Sequence, residues 1–89
     1  MRYVSIRLFA RAKDLAGSDA LVVALPPVAT VGELRKRLSE LCPALMGLLE
    51  RSAVAVNNEF ADDAILVPEG AEVALLPPVS GGARETVGA

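Results

Sequence analysis

Histidine and tryptophan are absent from this 89-residue sequence, and cysteine occurs once. Without an imidazole, the chain cannot by itself build a Ser-His-Asp or Cys-His nucleophilic centre. The lone Cys42 has no partner for an internal disulfide, and the usual zinc ligands are too few for a structural metal site. We therefore expect neither a metal site nor a self-contained active site.

Aromatic residues, excess charge and long hydrophobic runs are scarce too. The net charge is −2 with dispersed Lys and Arg, so no nucleic-acid-binding surface is expected. The best apolar run, Ala20 to Ala29, contains two prolines and is shorter than the roughly 18 residues of a membrane span. The opening "MRYVSIR" does not resemble a secretory signal. We expect one small cytosolic domain with an aliphatic core.

Alternating apolar residues predict the strands. Between Arg2 and Phe9 every second residue is apolar, which is typical of a half-buried strand, and Phe9 falls on its polar face. The segments "ALVVAL", "AVAVNN" and "AEVALLPPV" predict further strands, with the Asn-Asn pair in a tight turn. "ARAKDLAG" predicts a short irregular or helical turn that ends at Gly17.

One longer helix is predicted behind Thr30. The sequence "TVGE" is a capping box, in which the Thr30 hydroxyl accepts from a first-turn amide while the Glu33 side chain reaches back. Its apolar stripe consists of Val31, Leu34, Leu38 and Leu41, and the cations 35–37 are predicted to face solvent. Pro43 ends the helix or forces a break.

This order of elements predicts an α+β fold. Two strands, one main helix and two or more strands fit a mixed sheet of four to five strands with the helix packed across one face. The first and last strands are expected to pair in parallel at the centre, with the helix in the crossover. This arrangement is the β-grasp fold of ubiquitin-like domains.

Three stretches together resemble the small, sulfur-carrying subunit of molybdopterin synthase. They are "LFARAKDLAG", "AVN" and "LVPEGAEVALLPPVSGG", and their order and spacing agree with that family up to Gly82. The resemblance implies that the carboxylate of a terminal glycine is adenylated with ATP by a separate activating enzyme and converted to a thiocarboxylate. Sulfur would then pass to a cyclic pyranopterin precursor held by the large subunit.

The resemblance also implies roles for the C-terminal residues. Gly82 would supply the reacting carboxylate and Gly81 would give clearance, since any Cβ there would clash in a narrow channel. The approach would be guided by Pro77, Pro78, Val79 and Ser80, of which the prolines keep the segment extended. This chain itself is expected to bind no cofactor, because ATP belongs to the activating enzyme.

The sequence departs from the family pattern after Gly82. Seven residues, "ARETVGA" (83–89), follow, so the Gly82 carbonyl is in an amide that cannot attack ATP. We expect residues 1–82 to form the carrier domain and 83–89 to be a removable or linker extension. A processing protease, a linker to a fused large subunit and a variant that carries no sulfur all explain it, and we favour the protease.

Five side chains are candidates for partner binding. Phe9 and Leu76 fall on the solvent side of strands that can be neighbours, and Phe60 lies just past the turn that brings it close. Three such residues would form a contiguous apolar patch, which the family resemblance assigns to the large subunit. Arg11 and Lys13 follow the first strand and either hold acidic groups of a partner near the tail or lie in a solvated loop.

Two other functions stay open. A related carrier that feeds sulfur to thiamine or cysteine synthesis shares the fold and the Gly-Gly end. A non-catalytic ubiquitin-like protein-binding module with a relict glycine pair is the alternative from a different class. The sequence separates these functions only weakly.

Overall fold

The structure is a computed structural model that describes residues 1–78. Five strands and three α-helices follow one another as β1 Arg2–Leu8, α1 Ala10–Ala16, β2 Ala20–Leu25, α2 Val31–Leu41, α3 Met46–Leu49, β3 Ala53–Val56, β4 Glu59–Ala61 and β5 Val73–Leu76. A short 3₁₀ turn, Pro43–Leu45, joins α2 to α3. In this described part of the chain, no helix is long and apolar enough to cross a lipid bilayer.

The five strands form one mixed sheet in the order β2-β1-β5-β3-β4. The first and last strands, β1 and β5, pair in parallel, as Leu8 opposite Leu75 illustrates. The other three pairings are antiparallel. Because parallel neighbours require a crossover, the chain passes through α2 on the helical side of the sheet between them. The predicted β-grasp fold is therefore confirmed.

The core lies between the sheet and the helices. Alternation along β1 buries Val4, Ile6 and Leu8, and β5 contributes Val73 and Leu75 in the same way. The helical side adds Ala12, Val31, Leu34, Leu38, Leu45, Leu48 and Leu49. Burying one such aliphatic side chain stabilises the fold by about 1.5–3 kcal/mol. No charged residue is among the buried ones in residues 1–78, so this core is aliphatic as expected.

The predicted cap of α2 is formed in part. The Thr30 hydroxyl accepts a 3.2 Å hydrogen bond from the Glu33 amide, as expected. The Glu33 carboxylate does not complete the box, because it lies 3.5 Å from the Arg37 guanidinium one turn further along the helix. An i,i+4 ion pair thus competes with the reciprocal capping bond.

Two predictions about the faces of α2 are wrong. Leu41 is 52% exposed, because the chain leaves the sheet at the last turn, where Cys42 has non-helical backbone angles. Arg35 does not simply face solvent, since its side chain is only 20% exposed and donates to the Leu49 carbonyl oxygen at 2.6 Å. Its long apolar stem lies along neighbouring residues while its charged end finds acceptors.

Both predicted turns have the expected backbone. Gly17 ends α1 with φ of 70°, a left-handed conformation that glycine adopts without steric cost. Asn57 and Asn58 have φ of 52° and 69° and connect β3 to β4 as a two-residue hairpin. The β4 strand brings Phe60 back opposite Ala55.

Candidate functional site

One face of the sheet is buried under the helices, and the opposite face, the open face, is exposed. Along β1 it presents Tyr3, Ser5 and Arg7, all of which are exposed. On the neighbouring strands it presents Ala74 and Leu76 of β5, Ala53 and Ala55 of β3, and Phe60 of β4, as the strand register shows. The three apolar residues predicted to bind a partner therefore share this face.

The register determines how close these three residues lie. Since Leu8 pairs with Leu75, the next residues, Phe9 and Leu76, are neighbours on the open face. Leu76 pairs with Ala53, and Phe60 lies two strands from β5, which is about 10 Å at the usual strand spacing. The side chains between them are alanines. Small residues thus form a shallow floor between two aromatic rings.

This floor and its flanking rings constitute the open-face patch: Phe9, Ala53, Ala55, Phe60, Ala74 and Leu76. Phe60 is 77% exposed and Phe9 is 39% exposed, whereas Leu76 is half-buried. The Arg7 guanidinium lies 5.5 Å from the centroid of the Phe9 ring, within cation–π range. A concavity of about 100 Å³ opens beside that ring, with Asn58 and Glu72 on its polar rim. The patch is therefore apolar at its centre and polar at its edge.

A second concavity surrounds the point where the chain leaves β5. It measures about 500 Å³, and we call it the tail-root groove; it is lined by Ala10, Arg11, Asp14, Leu48, Arg51, Pro77 and Pro78. Ala10 has φ of 52°, so the chain reverses sharply after Phe9 and directs α1 towards this groove. The groove adjoins the open-face patch, because Leu76 directly precedes Pro77.

The two predicted cations differ in position. Arg11 lines the tail-root groove, whereas Lys13 is exposed on α1 and is not among the residues that line it. The backbone carbonyl of Lys13 accepts the Gly17 amide that ends the helix.

Arg51 also lines the groove, and the sequence pattern did not single it out. It is the last cation before a long stretch, residues 52–83, that contains no Lys or Arg. That change in charge is the signal in the sequence that points to it.

Four predicted residues lie outside the described part of the chain: Val79, Ser80, Gly81 and Gly82. Within residues 1–78, no group of three or more His, Cys, Asp or Glu is arranged to hold a metal ion. Cys42 is half-buried and packs against the core as a small hydrophobe.

The sheet order, the crossover helix and the exposed apolar patch beside Pro77 define a ubiquitin-like β-grasp protein. Residues 6–82 match the sequence model of the ThiS family. This chain belongs to the ThiS family.

Several relatives are similar over most of their length. The molybdopterin synthase sulfur carrier subunit of Dictyostelium discoideum is 38% identical over 80 residues, which cover 86% of this chain and 93% of that protein. SAMP1 of Haloferax volcanii, a small archaeal modifier protein, is 32% identical with a TM-score of 0.81 over 91% of this chain and all of that one. A solved structure of the protein-protein complex of subunits 1 and 2 of molybdopterin-converting factor from Helicobacter pylori contains a chain that is 26% identical to this one. The TM-score is 0.65, over 91% of this chain and all of that one.

Proposed function

We propose that this chain is the sulfur-carrier small subunit of a molybdopterin synthase and acts in molybdenum-cofactor synthesis. The observation that carries the sulfur-carrier part of the proposal is the family match, which extends to Gly82, the second residue of the Gly-Gly pair. The name of the Dictyostelium relative supports the same pathway. The carrier acts in the cytosol, where its activating enzyme has ATP.

The proposed chemistry takes place at one carboxylate. Once Gly82 is terminal, its carboxylate attacks the α-phosphate of ATP on a separate activating enzyme, forming an acyl-adenylate and releasing pyrophosphate. Hydrosulfide supplied by a sulfur donor then attacks the acyl carbon and displaces AMP, which leaves a thiocarboxylate. The thiocarboxylate sulfur bonds to a cyclic pyranopterin precursor, and water then hydrolyses the acyl–sulfur bond, so that the sulfur stays on the precursor and the Gly82 carboxylate is regenerated. Glycine is suited to this position because no Cβ limits the approach of the carbonyl carbon.

The number of residues between Pro78 and Gly82 limits where the reacting carboxylate can lie. Gly82 is the fourth residue after Pro78, which lies at the tail-root groove. An extended segment of that length spans at most about 14 Å. The reacting carboxylate is therefore kept within that distance of the groove, and Pro77 and Pro78 limit the conformational freedom lost on insertion.

We assign the open-face patch to the large subunit. Its exposed aromatic residues, small-residue floor and polar rim are typical of a protein-binding surface. The existence of a two-subunit complex that contains a similar chain supports this assignment. Arg11, Lys13 and Arg51 at or near the tail root would meet acidic groups of a partner. The groups that act on the pterin then come from the large subunit.

Residues 83–89 must be removed before Gly82 can react, because an amide carbonyl has no free carboxylate oxygen. We propose that a protease cleaves after Gly82, and we regard residues 83–89 as a removable extension of the 1–82 domain. A linker to a fused partner is the alternative. Intact mass after incubation in lysate of the source organism tests this step, and a chain that stays at full mass contradicts it.

A protein modifier is a second candidate function, favoured by the similarity to SAMP1. The same acyl-adenylate would react with an amine of a target protein instead of a sulfur donor. Carriers for thiamine or cysteine synthesis and a non-catalytic binding module remain further alternatives. The ThiS family match by itself does not separate these carriers.

The decisive experiment supplies the 82-residue form with the activating enzyme, ATP and a sulfur donor. The expected product shows the mass gain of one oxygen replaced by sulfur at the C-terminus. The control is a chain that ends at Gly81 and therefore lacks Gly82. If the trimmed protein never gains sulfur, the carrier function is wrong, and if it becomes attached to other proteins, the modifier function is favoured.

A further inference from the structure

The two edges of the sheet differ in how they are protected. β4 has three residues, begins with the acidic Glu59 and is followed by Asp62. β2 has six residues, Ala20–Leu25, and none of them is polar. Natural proteins protect exposed edges with short strands, charges or prolines within the strand. β2 has none of these features along its length, so its edge is competent to pair with another strand.

The hydrogen-bond pattern shows which groups this edge presents. The Leu8 amide donates to the Asp19 carbonyl oxygen at 2.9 Å, and the register continues with Ile6 opposite Leu21. Odd-numbered residues of β2 therefore bond to β1, and even-numbered residues direct their amide and carbonyl groups outward. The Ser18 hydroxyl, which lies 2.8 Å from the Ala20 carbonyl oxygen, bonds to both outward groups of Ala20. Within residues 1–78, the outward groups of Val22 and Ala24 have no hydrogen-bond partner.

An apolar groove runs along the same edge. It encloses about 440 Å³ between β2 and α2 and is lined by Tyr3, Val22, Val23, Ala24, Arg37, Glu40 and Leu41. Val22 is 55% exposed and Leu41 is 52% exposed. The groove therefore places apolar surface beside the unpaired backbone of Val22 and Ala24.

We propose that this edge binds the same edge of a second copy of the chain, forming a continuous ten-stranded sheet across a two-fold axis. Side chains keep their faces only if even-numbered residues pair with even-numbered residues. Pairing Val22 with Ala24 of the second copy satisfies all four outward groups of each such pair, and Val23 lies at the axis. In this register Pro26, which has no amide proton, lies opposite Ala20, whose outward groups already bond to Ser18, whereas a shift by two residues towards Leu25 would place Pro26 opposite Val22.

The charges in the groove between β2 and α2 are complementary to those of a second copy, which favours a second copy as the binding partner. Each groove carries one cation, Arg37, and one anion, Glu40, on the same face of α2. A two-fold axis sets the two α2 helices antiparallel, which brings Arg37 of one copy towards Glu40 of the other. The interface is small compared with the roughly 1,200–2,000 Å² of stable complexes, so a weak dimer is expected.

This dimer is independent of the proposed carrier function. The tail root belongs to β5, and β1 separates β5 from β2. The tail-root groove shares no lining residue with the groove at β2. Each copy would therefore keep its own tail available, and the dimer can be tested without any partner of the carrier pathway.

Sedimentation equilibrium of the full chain tests the proposal. We expect the average mass to rise from 9.3 kDa towards twice that value between roughly 10 µM and 1 mM, the range of a weak interface. Val22→Lys places a charge at the edge and should raise the dissociation constant at least about tenfold. Val28→Lys is the matched control, because Val28 is 74% exposed and does not line the groove. Circular dichroism confirms that both variants fold.

Amide hydrogen exchange provides the second readout. The amides of Val22 and Ala24 should gain protection as concentration rises, whereas those of odd-numbered residues should be protected throughout. A monomer at 1 mM, or equal effects of the two lysine variants, would overturn the proposal. A monomer whose Val22 and Ala24 amides are protected only by an added extended valine-rich peptide would assign the edge to another protein instead.

Discussion

Arg35 donates from its Nε to the Asp63 carboxylate at 2.7 Å and from a terminal nitrogen to the Leu49 carbonyl oxygen at 2.6 Å. One side chain thereby joins the middle of α2 to the segment after β4 and to the end of α3. The three segments are far apart in sequence, so this contact constrains how the helical layer sits on the sheet. The backbone amide of Gly32 adds a 3.0 Å bond to the Asp63 carbonyl oxygen.

Substitution of Arg35 should destabilise the fold more than substitution of its acidic partner. The Arg35 side chain is 20% exposed and its loss leaves the Leu49 carbonyl oxygen without this donor, whereas the Asp63 side chain is 65% exposed. Arg35→Met should lower the free energy of unfolding by about 1–2 kcal/mol, and Asp63→Ala by about 0.5 kcal/mol or less. Urea denaturation measures both. Equal losses would assign the contribution to the ion pair instead.

Two glycines in helices should respond differently to alanine. At Gly32, a Cβ would lie 3.3 Å from the Asp63 Cβ and 3.4 Å from the Asp63 carbonyl oxygen. At Gly47, a Cβ would meet no atom within 4 Å. Gly47→Ala should therefore stabilise the protein by up to about 1 kcal/mol, the helix-propensity difference.

The crowding at Gly32 should remove that gain. Gly32→Ala is expected to be neutral or destabilising, because the 62–65 segment must move while its backbone is hydrogen-bonded to α2. The midpoint of thermal unfolding of both variants compares them directly. A gain at Gly32 as large as that at Gly47 would show that the segment yields easily.

The alternation of apolar and polar side chains along the strands made the fold predictable. The period-2 pattern of β1 and β5 and the cap at Thr30 are local signals, and each predicted element is present in the described residues. Pairing of β1 with β5 followed from the order of elements. The end of α2 was less predictable, because Leu41 continues the helical spacing while the chain already turns away at Cys42.

The candidate site was predictable only in part. Phe9, Phe60 and Leu76 share one face, which follows from strand alternation once the strand order is known. Arg51 was missed because its place in the tail-root groove depends on how the end of α3, α1 and the residues after β5 pack, a tertiary relationship without local periodicity. The inward contacts of Arg35 were missed for the same reason, since its acceptors lie 14 and 28 residues away in sequence.

Phe60 offers the cleanest test of the open-face patch. It is 77% exposed, so Phe60→Ser should leave the free energy of unfolding within about 0.5 kcal/mol of wild type. If the patch binds the large subunit, the dissociation constant should rise at least about tenfold, because exposed aromatic anchors dominate such surfaces. Calorimetric titration with the large subunit measures the change.

The other patch residues and a control complete that comparison. Phe9→Ala and Leu76→Ala should also weaken binding more than they lower thermal stability, although half-buried Leu76 contributes to both. Val28→Ser removes a 74% exposed valine elsewhere and should change neither quantity. A loss of stability equal to the loss of binding at Phe9 and Leu76 would identify them as core residues.

Charge reversal at Arg51 tests whether the tail-root groove meets an acidic partner surface. Arg51→Glu and Arg11→Glu should slow association with the activating enzyme or the large subunit, because charges at an interface rim act mainly on the association rate. The effect should shrink as ionic strength rises, since screening shortens the range of these charges. Lys36→Glu, on the exposed face of α2, is the matched control. Stopped-flow rates that fall equally for Lys36→Glu would show a response to net charge alone, and the groove would then have no specific role in docking.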